Sequence, residues 1–415
     1  MLVYVINKHG RPLMPCSPRK ARILLRDGKA KVVCKEPFTI KLKYWSTGYT
    51  NKTLTLSIDS GSKTIGSADR DNDNKVYYLS NIEIRQDIKS KLDTRRMYRR
   101  NRRSRKTRYR KARFLNRRNS IRSNRYSPTI ISKYKSHIRE MNFVSKLLPI
   151  NNFVIETGTF DPHAMVNPKV LSCPWLYQKG IQVGFYNTKA YVLSRDNYTC
   201  QYCKGKSKDV KLQVHHITPR SKGGSNLPNN LLTLCNVCHN KLHTGVITLT
   251  CKQLKSTLNH ATQMNVLGSL FRKHLVFTET FGFVTKAIRE YFNIPKIHCY
   301  DAVCAGITNP ATPVLLTNQV LMKRCISKGT YQLTHGKRSE KRTPDGKISG
   351  FKRWDKVLYN NIKCFIKGRM STGYAIISDI FGNKIDIKPM PKFTKMKRIS
   401  ARKSWIMTSY SIPNP

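Results

Sequence analysis

Two pairs of closely spaced cysteines form the most specific chemical pattern in the sequence. Cys200 and Cys203 make one CxxC knuckle, and Cys235 and Cys238 make a second one. Thiolates on two such knuckles can complete the tetrahedral coordination that structural zinc prefers. The alternative, small buried cysteines without a metal, does not explain why two CxxC pairs share one short segment. The pattern therefore predicts a structural Zn²⁺ site.

Histidines occur between and just after these knuckles. His215 and His216 are adjacent, and His239 and His243 are spaced i, i+4, so on a helix they face the same way. Two or three imidazoles can hold one Mg²⁺-type ion against a scissile phosphate, while a neighbouring free imidazole takes a proton from water. This set is what a metal-dependent phosphodiesterase needs. A zinc ribbon that only binds DNA needs the cysteines but not the histidine pair, and it is the alternative here.

A second candidate centre is spread along the chain. Asp59 ends the apolar stretch LTLSID and Glu156 ends FVIE. Asp301 lies in HCYDAVCAG, three residues after His298, so a helix would put both on one face. Three carboxylates brought together can bridge two Mg²⁺ ions, which stabilise the attacking and leaving oxygens of a phosphodiester. Taken singly, an Asp before a Gly turn is usually a turn former.

The composition indicates a polyanionic partner. The chain of 415 residues carries 78 Lys and Arg against 22 Asp and Glu, a formal net charge of +56, with 39% hydrophobic residues for ordinary cores. Like charges at this density repel each other in a folded chain unless a polyanion neutralises them. Nucleic acid is the expected partner, and an anionic membrane surface is the alternative. No stretch has the roughly 20 apolar residues of a membrane span. With no secretory signal at the N-terminus, the 12 cysteines point to reduced thiols or metal ligands, and we expect an intracellular protein.

The charge is concentrated in residues 95–118, which read RRMYRRNRRSRKTRYRKARFLNRR. No Asp or Glu occurs between Asp93 and Glu140 to neutralise them. Such blocks are usually disordered arms. This one lies between Asp59 and Glu156, so both ends are tethered to one proposed site, and we expect a helix over 90–120, about 45 Å long, embedded in nucleic acid. The arginines expected to bind it are Arg95, Arg96, Arg99, Arg100, Arg102, Arg103, Arg105, Arg108, Arg110, Arg113, Arg117 and Arg118.

Strands and helices of ordinary length must position these residues. LVYVIN and the segment over 31–45 are predicted strands, with PRKARILLRDGK as a short helix between them. A helix is predicted around 129–148, followed by the strand NNFVIETG. VTKAIREYFNI and IHCYDAVCAGI have helical patterns, and GYAIISDIFGNKIDIK predicts a hairpin around Gly382-Asn383.

The order of the cysteines and histidines resembles the HNH endonuclease family. In that ββα-metal motif the first histidine of the pair is a metal ligand and the second is the general base. The resemblance implies that His215 is the ligand and His216 the base, and that Asn230 braces the loop that holds the base. His239 and His243 would complete the site for one Mg²⁺.

The dispersed acids resemble another nuclease. Asp59 followed by SGSKTIG is similar to the first segment of RuvC-like nucleases of the RNase H fold, VIETGTFD to the second, and HCYDA to the third. Arg11–Pro15, which alone can be a proline-bracketed turn, matches the motif that names the PLMP domain of the IscB family, RNA-guided nucleases related to the large CRISPR effectors. Ser60 stands where that family more often has Pro. The resemblance covers the whole chain, although its last 105 residues match by position more than by motif.

This resemblance implies an α/β multidomain fold with a split RNase H-like core. The implied segments are a PLMP domain 1–53, RuvC segment I 54–89, an Arg-rich bridge helix 90–120, RuvC segment II 121–184, an HNH domain 185–251, RuvC segment III 252–310, and a β-rich C-terminal domain 311–415 that contacts RNA and the target-adjacent motif. It implies two Mg²⁺ at the RuvC centre, held by Asp59, Glu156 and Asp301 with His298 beside them.

The implied activity is RNA-guided cleavage of double-stranded DNA in the cytoplasm, at the nucleoid when DNA is bound. One protein chain would bind a structured guide, the omega RNA; HNH would cut the guide-paired strand and RuvC the displaced strand. Charge binds phosphates regardless of sequence, and base pairing supplies specificity. Two alternatives remain. One is a guide-independent HNH or RuvC nuclease of the homing or junction-resolving type, and the other is a non-catalytic nucleic-acid-binding protein.

Overall fold

The structure, a computed structural model, describes residues 2–46, 52–106, 126–220, 224–249, 258–307, 309–317, 319–327 and 346–411. Its strands are β1 Val3–Ile6, β2 Pro12–Cys16, β3 Ala30–Lys35, β4 Phe38–Leu42, β5 Leu54–Ser60, β6 Thr64–Arg70, β7 Val76–Glu83, β8 Ile150–Thr157, β9 Leu212–His216, β10 Leu231–Cys235, β11 Thr278–Phe281, β12 Gln319–Cys325, β13 Lys356–Tyr359, β14 Ile362–Arg369, β15 Ala375–Ser378, β16 Lys397–Ser400 and β17 Trp405–Ser411. Its α-helices are α1 Pro18–Arg26, α2 Ile88–Lys106, α3 Pro128–Val144, α4 Pro162–Val166, α5 Thr188–Arg195, α6 Asn236–His243, α7 Asn259–His274, α8 Gly282–Tyr291 and α9 His298–Ala305.

The N-terminal module is a four-stranded sheet in the order β2-β1-β4-β3. Its core includes Val3 of β1, Ile40 of β4 and Ala21 of α1. The single strand predicted over 31–45 is wrong, because the structure divides this segment into β3 and β4. The division falls at Pro37, which lacks the N–H that a continuous strand ladder requires.

The PLMP motif lies at the edge of this sheet. Most of it forms β2, which pairs on one side with β1 and has no strand from the described residues on the other. An edge strand tolerates proline, since the N–H missing from proline would face away from the ladder. The motif is therefore a strand here and not a proline-bracketed turn.

The central sheet has seven strands in the order β11-β8-β5-β6-β7-β12-β17. The strands β5, β6 and β7 form an antiparallel meander. β8 runs parallel to β5, and β11 runs parallel to β8. At the other end β12 runs parallel to β7, and β17 pairs antiparallel with β12. The fold is thus mixed α/β, and segments far apart in sequence share one sheet.

Helices cover both faces of this sheet. Leu56 and Ile58 of β5 pack with Met141 and Val144 of α3. On the opposite face α9 packs against β5 and β6. Side chains alternate between the two faces along a strand. Since Ile58 faces α3, the next residue, Asp59, faces α9. The helix predicted over 129–148 is α3, the strand NNFVIETG is β8, and the two later predicted helices are α8 and α9.

Two compact units make up the chain. One contains Met1–Thr159 and Gln263–Pro415, and the other contains Phe160–Thr262. In the second unit β9 and β10 form an antiparallel hairpin, followed by α6. Its core includes Cys200, Leu234 and Cys238. The unit therefore has the ββα order that the resemblance to the HNH family implies.

The residues after 311 contribute to two sheets. β12 and β17 belong to the central sheet, while a separate four-stranded sheet has the order β15-β14-β13-β16. The predicted turn at Gly382 is present, with a φ of 91°. The second arm of the predicted hairpin is not a regular strand, since beyond β15 it is held by a single bridge between Ser378 and Lys384 and by a bond from the Ile385 N–H to the Ile377 carbonyl. No helix among the described residues is long and apolar enough to cross a membrane.

Candidate nuclease centres

Four cysteine sulfurs converge in the second unit. Cys200 and Cys203 lie in the turn after α5, Cys235 ends β10, and Cys238 lies in α6. The four Sγ atoms all lie within 4.8 Å of one another. All four thiols are free. The hydrogen bond between Cys203 and the hydroxyl of Ser207 lowers the pKa of Cys203 to about 6. A four-thiol set of this kind fits a tetrahedral Zn²⁺ ion.

Three imidazoles form a second cluster in the same unit. His215 lies in β9, and His239 and His243 lie one turn apart on α6. One nitrogen from each ring lies within 4.8 Å of the others, with 3.3 Å between the Nε2 atoms of His239 and His243. Burial first, and then the two neighbouring rings, lower the pKa of His215 to about 4. The ring is therefore neutral at pH 7, as a metal-ligating histidine must be.

His216 faces a different set of partners. It follows His215 in β9, so its side chain leaves the opposite face of the hairpin. Its Nε2 lies 3.0 Å from Asn226 Oδ1, and the Arg220 Nε–H points toward the same nitrogen at 3.4 Å. The sequence did not single out Arg220 or Asn226, because both lie in a polar loop whose composition alone is typical of a turn.

Asn230 ties this loop to the hairpin. It is 3% exposed, and its Oδ1 accepts a hydrogen bond from the Thr218 N–H at 2.9 Å. Its Nδ2 donates to the carbonyls of Thr218 at 3.0 Å and Ser225 at 2.8 Å. These contacts fix the chain that follows His216. A Cβ on Gly224 would meet the Thr218 carbonyl oxygen at 1.8 Å, so this position accepts no larger residue.

The dispersed acids come together in the first unit. Asp59 and Glu156 are direct neighbours on the parallel strands β5 and β8. His298 opens α9, and its Nδ1 lies 2.6 Å from Asp59 Oδ2. Donor atoms of Asp59, His298 and Asp301 lie within 4.8 Å of one another. Gly66 allows this approach, since a Cβ there would lie 1.8 Å from the His298 carbonyl oxygen.

Crowding of these acids changes their protonation. Burial, followed by the charge of Asp59, raises the pKa of Glu156 to about 7. Burial and Asp59 also raise the pKa of Asp301. The hydrogen bond from His298 to Asp59 raises the pKa of His298. Glu156 Oε2 is buried and has no hydrogen-bond partner among the described residues. Such a centre is stabilised by added positive charge, and its oxygen-rich donor set fits Mg²⁺.

Arg289 is a member of this centre that the sequence did not reveal. Its Nε lies 3.0 Å from Asp301 Oδ1, and the two side chains are 12% and 16% exposed. Its positive charge opposes the rise in the pKa of Asp301. Arg289 lies on α8 among many basic residues, so no local pattern distinguished it; only the packing of α8 on α9 does.

Comparison with known proteins matches two parts of the chain. Residues 3–180 match the family described as RRXRR protein, and residues 200–245 match the HNH endonuclease family. An arginine-rich region followed by an HNH domain is the order that the resemblance to IscB requires. The chain is an IscB-like protein.

Other relatives of the IscB-like chain match over short segments. It is 36% identical over 62 residues to the type IV methyl-directed restriction enzyme EcoKMcrA of Escherichia coli strain K12, covering 13% of this chain and 22% of that enzyme. It is 39% identical over 54 residues to anaredoxin of Nostoc sp. strain PCC 7120, covering 13% of this chain and 68% of that protein. A crystal structure of Streptococcus thermophilus Cas9 in complex with the AGAA PAM matches with a TM-score of 0.32 and 13% identity, over 50% of this chain and 30% of that chain. A score this low does not define a shared fold.

The arginine-rich segment of the IscB-like chain begins as a helix. α2 covers Ile88–Lys106, and the side chains of Arg95, Arg96, Arg99 and Arg100 are exposed along it. Arg96 lies 3.8 Å from Asp93. The side chains of Arg102, Arg103 and Arg105, and all of Arg108, Arg110, Arg113, Arg117 and Arg118, lie outside the described residues.

Proposed function

We propose that this protein is an RNA-guided DNA endonuclease with two cutting centres. The observation that carries the proposal is the presence of two separate, metal-suited donor sets on one chain, the imidazole cluster around His215 and the carboxylate cluster around Asp59. Each set is one that phosphodiester hydrolysis requires. Two sets on one chain suit the cutting of two DNA strands.

At the imidazole centre His216 acts as the general base. Its ring nitrogen takes the proton from the attacking water, while the bonds of Asn230 hold the loop that places it. His215, His239 and His243 would hold one Mg²⁺, which supplies charge stabilisation of the phosphate. The four thiolates of the zinc site hold the turn after α5 to β10 and α6, and so keep the hairpin rigid. We propose that this centre cuts the guide-paired strand.

At the carboxylate centre Asp59, Glu156 and Asp301 would hold two Mg²⁺ ions, which supply charge stabilisation of the attacking and leaving oxygens. His298 bonds to Asp59 and carries a proton close to the reacting phosphate. Glu156 releases its proton near neutral pH when cations bind, since its pKa is about 7. We propose that this centre cuts the displaced strand, as in RuvC-like nucleases.

Most of the sequence specificity comes from a guide RNA and not from the protein's side chains. A formal charge of +56 binds phosphate without regard to sequence. A structured omega RNA bound by one protein chain neutralises much of this charge, and its guide segment pairs with double-stranded target DNA beside a short motif. The exposed arginines of α2 provide the phosphate contacts, as bidentate donors.

Reprogramming the guide tests this proposal. RNA that copurifies with the protein is sequenced, its guide segment is replaced, and cleavage of matching and non-matching duplexes is measured with Mg²⁺. Cleavage should follow the new guide and stop when EDTA is added. Cleavage that ignores the guide would favour a homing or junction-resolving nuclease, and absence of metal-dependent cleavage would favour a binding protein.

A further inference from the structure

A wide groove lies between α2 and α3 in the first unit, and its lining residues do not include those of the carboxylate centre. Its floor is formed by the end of β12 and the beginning of β17. The cavity volume is about 1200 Å³. This exceeds the roughly 300–1000 Å³ of small-molecule pockets, so the groove suits a length of polymer.

The rim of the groove is positively charged. Arg95 and Arg99 of α2 line one side, and Lys135 and Arg139 of α3 line the other. The described residues that line the groove include no Asp or Glu. In the described part of the chain, Arg95, Arg99 and Lys135 have no ion pair with a carboxylate. Cations without local counterions on both sides suit a phosphodiester backbone that runs between the helices.

The floor of the groove is apolar, unlike the rim. Leu92, Ile131, Ile326 and Trp405 line it. Arg139 lies 4.5 Å from the ring of Trp405 and donates to Ser404 Oγ at 2.6 Å, so its guanidinium plane is held at the wall. A duplex presents only phosphate and sugar to such a groove and cannot reach the floor. A single strand can turn its bases inward, onto apolar side chains and a fixed guanidinium plane.

Hydroxyl groups occur between rim and floor. Tyr98, Thr94 and Ser132 line the groove. The hydroxyl of Tyr98 is buried and has no hydrogen-bond partner among the described residues. A buried hydroxyl without a partner is costly, and a ligand that supplies one relieves that cost. The 2′-hydroxyl, both donor and acceptor, is the group that distinguishes RNA from DNA.

We propose that this groove binds unpaired nucleotides of RNA, with the phosphates on the rim and at least one base on the apolar floor. The proposal rests on the proposed function for the identity of the RNA, which would be an unpaired segment of the guide RNA outside its target-pairing region. It adds a base-accepting site, built with α3 and β17, to the phosphate contacts of α2. An acidic peptide or single-stranded DNA would use the rim but not both the floor and the hydroxyls.

Two neighbouring isoleucines of α3 provide a matched test. Ile131 and Ile130 are both half-buried, but only Ile131 lines the groove. Ile131→Asn and Ile130→Asn therefore make the same replacement of an apolar side chain by a polar, uncharged one. The two positions lie on different faces of α3. Leu92→Asn is a second groove variant on an exposed position, for use if Ile131→Asn unfolds. Folding is checked by circular dichroism of the full-length proteins.

The assay is fluorescence anisotropy with a labelled oligouridine about eight nucleotides long. It is compared with the same RNA lacking its bases, the matching oligodeoxythymidine and an RNA duplex. The unmodified protein should bind the RNA roughly tenfold more tightly than the abasic RNA. Ile131→Asn should reduce this preference to about twofold or less, and Ile130→Asn should keep it. The salt dependence should be the same in both variants, because the phosphate contacts remain.

Several outcomes would overturn the groove proposal. Equal affinity for natural and abasic RNA would show that no base is held. Equal behaviour of the two isoleucine variants would place binding elsewhere. Tighter binding of the DNA oligomer or the duplex, or displacement of RNA by polyglutamate, would assign another occupant. If the protein prefers RNA with bases but cleavage ignores the guide, the proposed function is wrong and the groove proposal is kept. If cleavage follows the guide but the protein shows no preference for RNA with bases, only the groove proposal is wrong.

Discussion

Replacing Lys323 with methionine removes one half of an ion pair that is buried between β12 of the central sheet and α3. Lys323 Nζ lies 2.6 Å from Glu140 Oε2, and both side chains are 0% exposed. Glu140 Oε1 also accepts hydrogen bonds from Tyr78 at 2.7 Å and Ser80 at 2.8 Å. Methionine keeps most of the apolar volume of the lysine stem. The variant therefore isolates the effect of leaving Glu140 without a cation.

The size of the loss follows from the burial of Glu140. Removing one partner of a buried ion pair typically costs about 3–5 kcal/mol, because the remaining charge is left without compensation. Glu140 keeps its hydrogen bonds from Tyr78 and Ser80, so we expect a loss in the lower part of this range. Lys323→Met should therefore destabilise the protein by about 3–4 kcal/mol at pH 7.

Urea unfolding followed by tryptophan fluorescence measures this loss in the free energy of unfolding. Lys323→Met/Glu140→Gln should recover most of the stability at pH 7, because a neutral amide oxygen still accepts from Tyr78 and Ser80. Lys397→Met, an exposed strand lysine, is the matched control and should change stability by less than about 0.5 kcal/mol. A Lys323→Met loss below about 1 kcal/mol, or a double variant no more stable than the single one, would refute the reasoning.

Four other outcomes are expected. Asp59→Ala should leave only nicking of the guide-paired strand and His216→Ala only nicking of the displaced strand, seen with strand-specific labels; loss of both cuts in either folded variant would contradict two separate centres. Cys203→Ser should release zinc to a chromogenic chelator and reduce guide-paired-strand cutting at least about tenfold before the other activity falls. The metal-free protein should lose stability as pH rises from about 4 to 7. Over this range folded Glu156, with a pKa of about 7, retains a proton that the unfolded chain releases. In melting experiments at several pH values, Glu156→Gln should therefore show a smaller dependence of stability on pH. Burial raises the pKa of Asp69, whose carboxyl has no hydrogen-bond partner among the described residues, so Asp69→Asn should stabilise the protein by about 2 kcal/mol at pH 7 and lose that advantage below pH 4.

Features written in short stretches of sequence were predictable. The CxxC knuckles and the i, i+4 histidines carry their geometry in their spacing, and the structure brings each set within the reach of one ion. Asp59 and Glu156 were visible because each ends an apolar strand in a chain with few acids. The sequence did not show that these two residues are paired across β5 and β8, because strand pairing depends on contacts between distant parts of the chain.

Contacts between distant elements were not predictable. Lys323 and Glu140 are 183 positions apart, and in a chain this rich in lysine no local pattern marks one lysine as buried. Arg289 and Asn226 were missed for the same reason, because their roles depend on which helix or loop packs beside them. The prediction of a single strand over 31–45 was wrong because the apolar pattern continues across Pro37. Pro37 has no backbone N–H to donate to a strand ladder, so the strand is divided there.

The order of strands in the central sheet has a consequence for synthesis of the protein. Asp59, Glu156, His298 and Asp301 have all been translated once α9 is complete, yet β12 and β17 form the far end of the same sheet. About 110 residues separate Asp301 from the end of β17, which a ribosome adds in roughly 5–20 s. Until β12 has been added, β7 presents an open edge and Glu140 lacks its partner Lys323; until β17 follows, β12 presents the open edge. A nascent chain thus carries every acid of the centre before it has a finished scaffold, and a ribosome stalled within these residues would release a protein prone to join its open edge to another chain.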